Sequence, residues 1–174
     1  MPITLDGQNL HPATELMLEA LEWLHERHDA ATALDLGCGG GILSALAASV
    51  WGARVLAADI AAKAVEDTRK NMAAHGLERL VTAVRSDGFS APEIRANAPY
   101  DLIFINLLAE PIVRWAGDVK SHLAENGVAA LGGILAWQAE GAALAYTGLG
   151  FEIINEFARP PWYACLLRAP AARH

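Results

Sequence analysis

Two cysteines, Cys38 and Cys165, are all that the 174 residues contain, and their separation matches no zinc or redox spacing. No disulfide framework and no metal site is expected, and such usage suits a reducing cytoplasm. Charge is sparse at 19%, and its sign is wrong for gripping phosphates: 20 acids against 13 bases give a net charge of −7. Binding to a nucleic-acid backbone rests on Lys and Arg, so that class of partner is disfavoured. Long apolar runs are missing too. The run 42–48 is far short of the roughly 20 residues that cross a bilayer, and mean hydropathy is only +0.24, so no membrane span is expected. Met1-Pro2-Ile3-Thr4-Leu5-Asp6 carries neither the basic nor the apolar region of a secretory leader. No repeat, low-complexity linker or charge block marks a second unit.

What remains is 53% hydrophobic residues, with alanine making up about a fifth of the chain. A chain of this length buries roughly 70% of the surface its unfolded form exposes, enough for a core without staples. One domain over 1–174 is expected, with an N-terminal segment and first helix over 1–30 and the core over 31–174. Continuous apolar runs at 32–36, 54–59, 80–84, 101–106 and 127–131 predict strands buried on both faces. Between and around them, amphipathic patterns predict helices at 15–28, 42–50, 61–75, 111–123 and 137–149. Strand followed by helix, repeated, means a parallel sheet with right-handed crossovers. Two further strand-like runs, 151–157 and 162–168, are separated by only four residues. That gap is too short for a parallel crossover, so the pair predicts an antiparallel hairpin. The fold class is α/β: a doubly wound seven-stranded sheet, five parallel strands plus a C-terminal hairpin.

Asp35-Leu36-Gly37-Cys38-Gly39-Gly40-Gly41 leads from the first strand into a helix. Such a loop lets the backbone approach a ligand closely and presents helix N-terminal amides to it. The dinucleotide fingerprint G-x-G-x-x-G needs a third glycine at Ile42 or Ser44, and neither is one. The D-x-G-x-G-x-G actually present resembles motif I of Rossmann-like S-adenosylmethionine-dependent methyltransferases. In that resemblance Asp35, Gly37, Cys38, Gly39 and Gly41 shape the cofactor loop, Cys38 being there as a small packed residue. Asp59 ends the second strand 18 residues past Gly41, where an acid accepts hydrogen bonds from ribose hydroxyls. Ile60 adjoins it in the cofactor set. Ser86-Asp87-Gly88 resembles the motif whose acid meets the adenine amino group, and a solvated turn Asp before Gly is the plainer alternative.

Asn106 ends the fourth strand, where this fold faces the sulfonium methyl. Methyltransferases acting on bases or glutamine carry Asn/Asp-Pro-Pro-Tyr/Phe here, the ring stacking on a planar acceptor. Asn106-Leu107-Leu108-Ala109 has no such ring, so a flexible amine is the better acceptor. These residues, with Pro111, Gly133-Ile134-Leu135, Gln138 and Trp162-Tyr163-Ala164-Cys165-Leu166-Leu167, resemble the catalytic domain of PrmA-type ribosomal protein methyltransferases.

The resemblance implies S-adenosyl-L-methionine as cofactor, methylation of a protein amine, and Asn106 as the residue that both faces the cofactor and holds the acceptor. His11 is a second catalytic candidate, for proton handling or loop closure, with a structural His-Pro as the alternative. Leu107, Trp137 and Gln138 are candidate walls of the acceptor pocket, although packing and capping would equally account for Trp137 and Gln138. Before its first helix the family carries F-G-T-G-x-H-P-T-T, of which Gly7, His11, Pro12 and Thr14 keep register. It also carries an N-terminal recruiting domain that is not expected in this chain. A small-molecule methyltransferase and a non-catalytic cofactor-binding scaffold therefore stay open as alternatives.

Overall fold

The alternating runs form one seven-stranded sheet: β1 Thr32–Leu36, β2 Arg54–Asp59, β3 Val81–Arg85, β4 Tyr100–Asn106, β5 Leu123–Leu135, β6 Glu152–Arg159 and β7 Trp162–Arg168. Their order is β3-β2-β1-β4-β5-β7-β6. The first five are parallel, and β7 runs antiparallel between β5 and β6, so the expected five strands plus hairpin is the observed sheet. A computed structural model describes residues 10–171; Gly7 and the opening hexapeptide lie outside the described residues.

The apolar runs are continuous because both faces of the sheet are covered. On one side lie α1 Pro12–His25, α2 Ile42–Trp51 and α3 Ala62–Ala74, which bury Met17, Leu46, Val65 and Met72 against Ala33, Ala57, Phe104 and Leu166. On the other lie α4 Pro92–Ala96, α5 Ala109–Arg114, α6 Ala116–His122 and α7 Ala139–Thr147. These bury Ile94, Ile112, Val119 and Tyr146 against Leu34, Ile103, Leu131 and Leu167. Each such Leu or Ile contributes roughly 1.5–3 kcal/mol by leaving water.

Several boundaries differ from expectation, each for a local reason. The first helix starts at Pro12, three residues early, because the His11 imidazole caps it: Ala13 N–H donates to His11 Nδ1 at 3.2 Å. The helix expected over 111–123 is two helices broken at Trp115, whose φ of −92° and ψ of 5° leave the helical region. Its last residue, Leu123, already belongs to β5. Residues 136–138 form a single 3-10 turn ahead of α7, and α4 was too short to show a period. β5 carries an irregularity between Leu131 and Ile134, at Gly132-Gly133. A bulge of this kind, beside a sheet's carboxyl edge, re-aims the backbone locally. Gly133 takes φ +76°, and a Cβ there would collide with the Leu107 carbonyl oxygen. Glycine is therefore required for the β5 backbone to lie against the segment that follows β4.

Candidate active site

The carboxyl ends of β1, β2 and β4 and the turn after β3 converge on one cleft, as expected at the switch point of a doubly wound sheet. The order of strands reverses between β1 and β4. The cleft holds about 240 Å³ and is bordered by Gly37, Asp59, Ile60, Asp87, Gly88 and Leu107, with Arg114 and Trp115 closing it from the β4 side.

The glycine loop is fastened from both sides. Gly37 and Cys38 N–H donate to the Ala58 carbonyl at 2.8 and 3.1 Å, Thr68 Oγ donates to the Gly39 carbonyl at 2.8 Å, and Asn71 Nδ2 donates to that of Gly40 at 2.8 Å. Gly37, Gly39 and Gly41 take φ values of +76°, +54° and +83°. At Gly37 the requirement is also steric, since a Cβ would lie 2.7 Å from a Leu107 methyl. Asp59 does two jobs in this frame. Its Oδ2 accepts from Gly39 N–H at 3.0 Å and its Oδ1 from Ala61 N–H at 2.9 Å. An ionised carboxylate has about four lone-pair sites, so each oxygen keeps one for a ligand hydroxyl.

Asp35 shapes the loop from behind rather than lining the cleft. It is buried and accepts a 2.6 Å hydrogen bond from Ser44 Oγ in the first turn of α2. Burial pushes its carboxyl up from 3.8 to about 7, against the pull of the Ser44 hydrogen bonds and with a further push from Asp59. Cys38 is likewise buried, and desolvation and then the Asp35 charge raise its thiol to about 12, which makes it a packing residue and not a nucleophile. Asp87 is exposed and borders the cleft. Ser86 builds the turn beneath it, donating to the Gly88 carbonyl at 2.7 Å and accepting from Ala91 N–H at 3.0 Å.

Asn106 ends β4, one residue before Leu107 of the cleft lining, and does not itself border the cleft. Its Nδ2 donates to Thr14 Oγ of α1 at 3.2 Å, while its Oδ1 is buried with no hydrogen-bond partner among the described residues. A buried acceptor left unpaired costs roughly 1–3 kcal/mol, so this oxygen calls for a donor that the described residues do not supply.

The remaining candidates are placed less centrally. His11 caps α1 and stacks edge-on against Trp162 at 4.7 Å. Gln138 folds back so that Leu135 N–H donates to its Oε1, and Trp137 is 79% exposed beyond the end of β5. None of the three borders the cleft. Sequence reading missed Trp115 and Arg114. Their signal is faint: an aromatic inside a run whose periodicity predicts one continuous helix. A Cβ on Gly88 would lie 2.7 Å from the Trp115 ring, so the turn after β3 and the α5–α6 junction are fitted to each other.

Sheet order, glycine loop and three acids at successive strand ends define a Rossmann-like methyltransferase domain. The family model described as ribosomal protein L11 methyltransferase (PrmA) matches residues 7–170. The chain belongs to that family. Ribosomal protein L11 methyltransferases of Rhodopseudomonas palustris (strain BisB5) and Mesorhizobium japonicum are 33% and 34% identical over 161 and 162 residues, 92% and 93% of this chain. The chain spans only 55% and 56% of their length. The crystal structure of a ribosomal protein L11 methylase from Lactobacillus delbrueckii subsp. bulgaricus superposes with a TM-score of 0.83 at 24% identity, over 94% of this chain and 81% of that one.

Proposed function

We propose that the chain transfers a methyl group from S-adenosylmethionine to an amine nitrogen of a protein. The observation that carries this reading is the unpaired, buried Asn106 Oδ1 at the end of β4. The cleft fits the cofactor on several independent counts. Asp59 keeps free lone pairs for a diol, Asp87 offers an unpaired carboxylate to an amino group, and Ile60, 59% exposed, offers apolar surface to a flat ring. The cofactor, when bound, supplies a methyl group on a positively charged sulfur, open to in-line attack.

The protein's own residues then have a positioning task. A lysine-type amine with a pKa of about 10.4 is mostly protonated at neutral pH, so it must lose a proton before it attacks. Asn106 Oδ1 accepts an N–H of the neutral amine and thereby aims its lone pair, while Thr14 holds the Asn106 amide in that orientation. Water carries the proton away, and no general base is needed. Positioning of this kind supplies most of the acceleration in a displacement that disperses charge.

A protein acceptor is favoured over a small molecule by the rim. Ile60, Leu108 and Trp137, which follow β2, β4 and β5, are 59%, 69% and 79% exposed. Ile60 borders the cleft, and the three are large apolar side chains left exposed past the carboxyl ends of the strands, which suits contact with another protein's surface. Ribosomal protein L11, named for the relatives, is the first substrate to test. A cytoplasmic location goes with this reading. No described helix is long and apolar enough to cross a membrane, and both cysteines are buried thiols.

The test is incubation of the purified chain with tritiated cofactor and bacterial extract. Acid-stable label in a protein fraction supports the proposal. Label confined to metabolites replaces the acceptor class, and calorimetric cofactor binding without transfer reduces the chain to a scaffold.

A further inference from the structure

A second cavity lies at the opposite end of the sheet. It holds about 230 Å³ at the amino ends of β1, β2 and β4 and is bordered by α4, a helix of only five residues. Its floor is Leu56, Leu80 and Tyr100, and Thr82 opens onto it. Arg54, the first residue of β2, and Arg79, two residues before β3, border it together. From there to Asp59, at the other end of β2, is about 17 Å of extended strand. The two sites are therefore separate.

The two arginines stand out by what they lack. Neither guanidinium makes an ion pair or hydrogen bond among the described residues. Apart from Arg95, every other described Lys or Arg meets a carboxylate or a carbonyl; Arg69, Arg85 and Lys120, for example, donate to the carbonyls of Ala83, Ile60 and Leu149. In a chain of net charge −7, two free guanidiniums bordering one cavity are an electropositive island. Glu93 also borders the cavity but pairs with neither, and Asn97 spends its amide on the Glu93 carbonyl at 2.8 Å.

We propose that this cavity is a binding site for a small organic dianion, a phosphomonoester or a dicarboxylate, clamped by Arg54 and Arg79 with its carbon skeleton on Leu56, Leu80 and Tyr100. Guanidinium forks match both oxyanion types in bidentate fashion. The volume is below the roughly 300–1,000 Å³ of drug-sized pockets, which selects a fragment-sized ligand over a nucleotide. Thr82 supplies its hydroxyl, and Asn97 the amide oxygen that its bond to the Glu93 carbonyl does not use, to orient the skeleton's hydroxyls. Glu93 sets the strength: its negative charge opposes the ligand and keeps binding weak.

Isothermal titration of the whole chain tests this, at fixed ionic strength and with S-adenosylhomocysteine saturating the cleft. Glycerol 3-phosphate and succinate are the two probes, and their relative affinities tell the phosphate class from the carboxylate class. Saturable one-to-one binding of one probe is expected, at least tenfold weaker in Arg54→Gln/Arg79→Gln and several-fold tighter in Glu93→Gln. The affinity for S-adenosylhomocysteine should be the same in all variants, which shows that they fold. Absence of saturable binding of both probes, or unchanged affinity in either variant, overturns the proposal.

Discussion

Replacing Asp35 by Asn should flatten the dependence of folding stability on pH. The carboxyl group is buried, has Ser44 as its hydrogen-bonding partner, and is raised by desolvation from 3.8 to about 7. The folded chain therefore holds a proton that the unfolded chain releases, and folding takes up a proton between those two values. Stability from this source is complete below about pH 3.8 and is lost as pH rises through about 7. At roughly 1.4 kcal/mol per pH unit, the full effect is on the order of 4 kcal/mol. Asn keeps an acceptor for Ser44 Oγ but cannot titrate. Urea unfolding followed by far-ultraviolet circular dichroism would compare the two chains from about pH 5 to about pH 8. The difference should move in favour of the variant by roughly 3 kcal/mol over that range. Any fixed cost of burying the new amide N–H groups shifts the whole curve and leaves its slope alone. Parallel pH profiles for the two chains would refute the reasoning, because they would mean that Asp35 exchanges no proton on folding.

Other consequences concern the cleft and its frame. Asn106→Ala should slow methyl transfer by about 10²-fold, the scale of a misplaced reacting group, and leave the calorimetric affinity for S-adenosylhomocysteine unchanged; normal turnover would remove Asn106 from the mechanism. Asp59→Ala should weaken that affinity by roughly 1.5–3 kcal/mol for each charge-assisted hydrogen bond lost, and an unaltered binding isotherm would sink the ribose assignment. Gly133→Ala places a methyl group against the Leu107 carbonyl at φ +76°. A stability loss above about 2 kcal/mol in urea unfolding is expected, and a wild-type curve would show that the β5 bulge relaxes freely.

Much of the architecture was legible because strands buried on both faces leave unbroken apolar runs, as in Leu102-Ile103-Phe104-Ile105, and because four residues cannot carry a parallel crossover. The glycine loop was legible for a similar reason: a D-x-G-x-G-x-G between strand and helix leaves few alternatives. What escaped depends on contacts distant in sequence or on unusual local partners. Histidine is not a customary helix cap, so the use of His11 Nδ1 to start α1 left no signal. Trp115, at the break, is fitted against Gly88, 27 residues earlier, and helical periodicity carries no trace of such a fit. Asp35 belonged to the motif in sequence, yet its side chain points away from the cleft, because alternate residues of a strand face opposite sides. The partnership of Asn106 with Thr14 joins residues 92 positions apart. No pattern within either segment announces it.

The first helix packs on the last strands. α1 lies against β5 and β7, and Arg159 at the end of β6 reaches back to Glu15 and Glu19 at 2.7 and 3.2 Å. During synthesis, then, the apolar face of α1 emerges early and must wait for β7, about 140 residues later. At about 5–20 residues per second the delay is roughly 7–30 s. Thr14 rides on that helix, so on the proposed reading the acceptor end of the site is the last part of the domain to be assembled. A growing chain can complete its glycine loop and the ends of β2 and β3 well before it can orient Asn106, and a nascent chain arrested before β7 should hold cofactor without being able to use it.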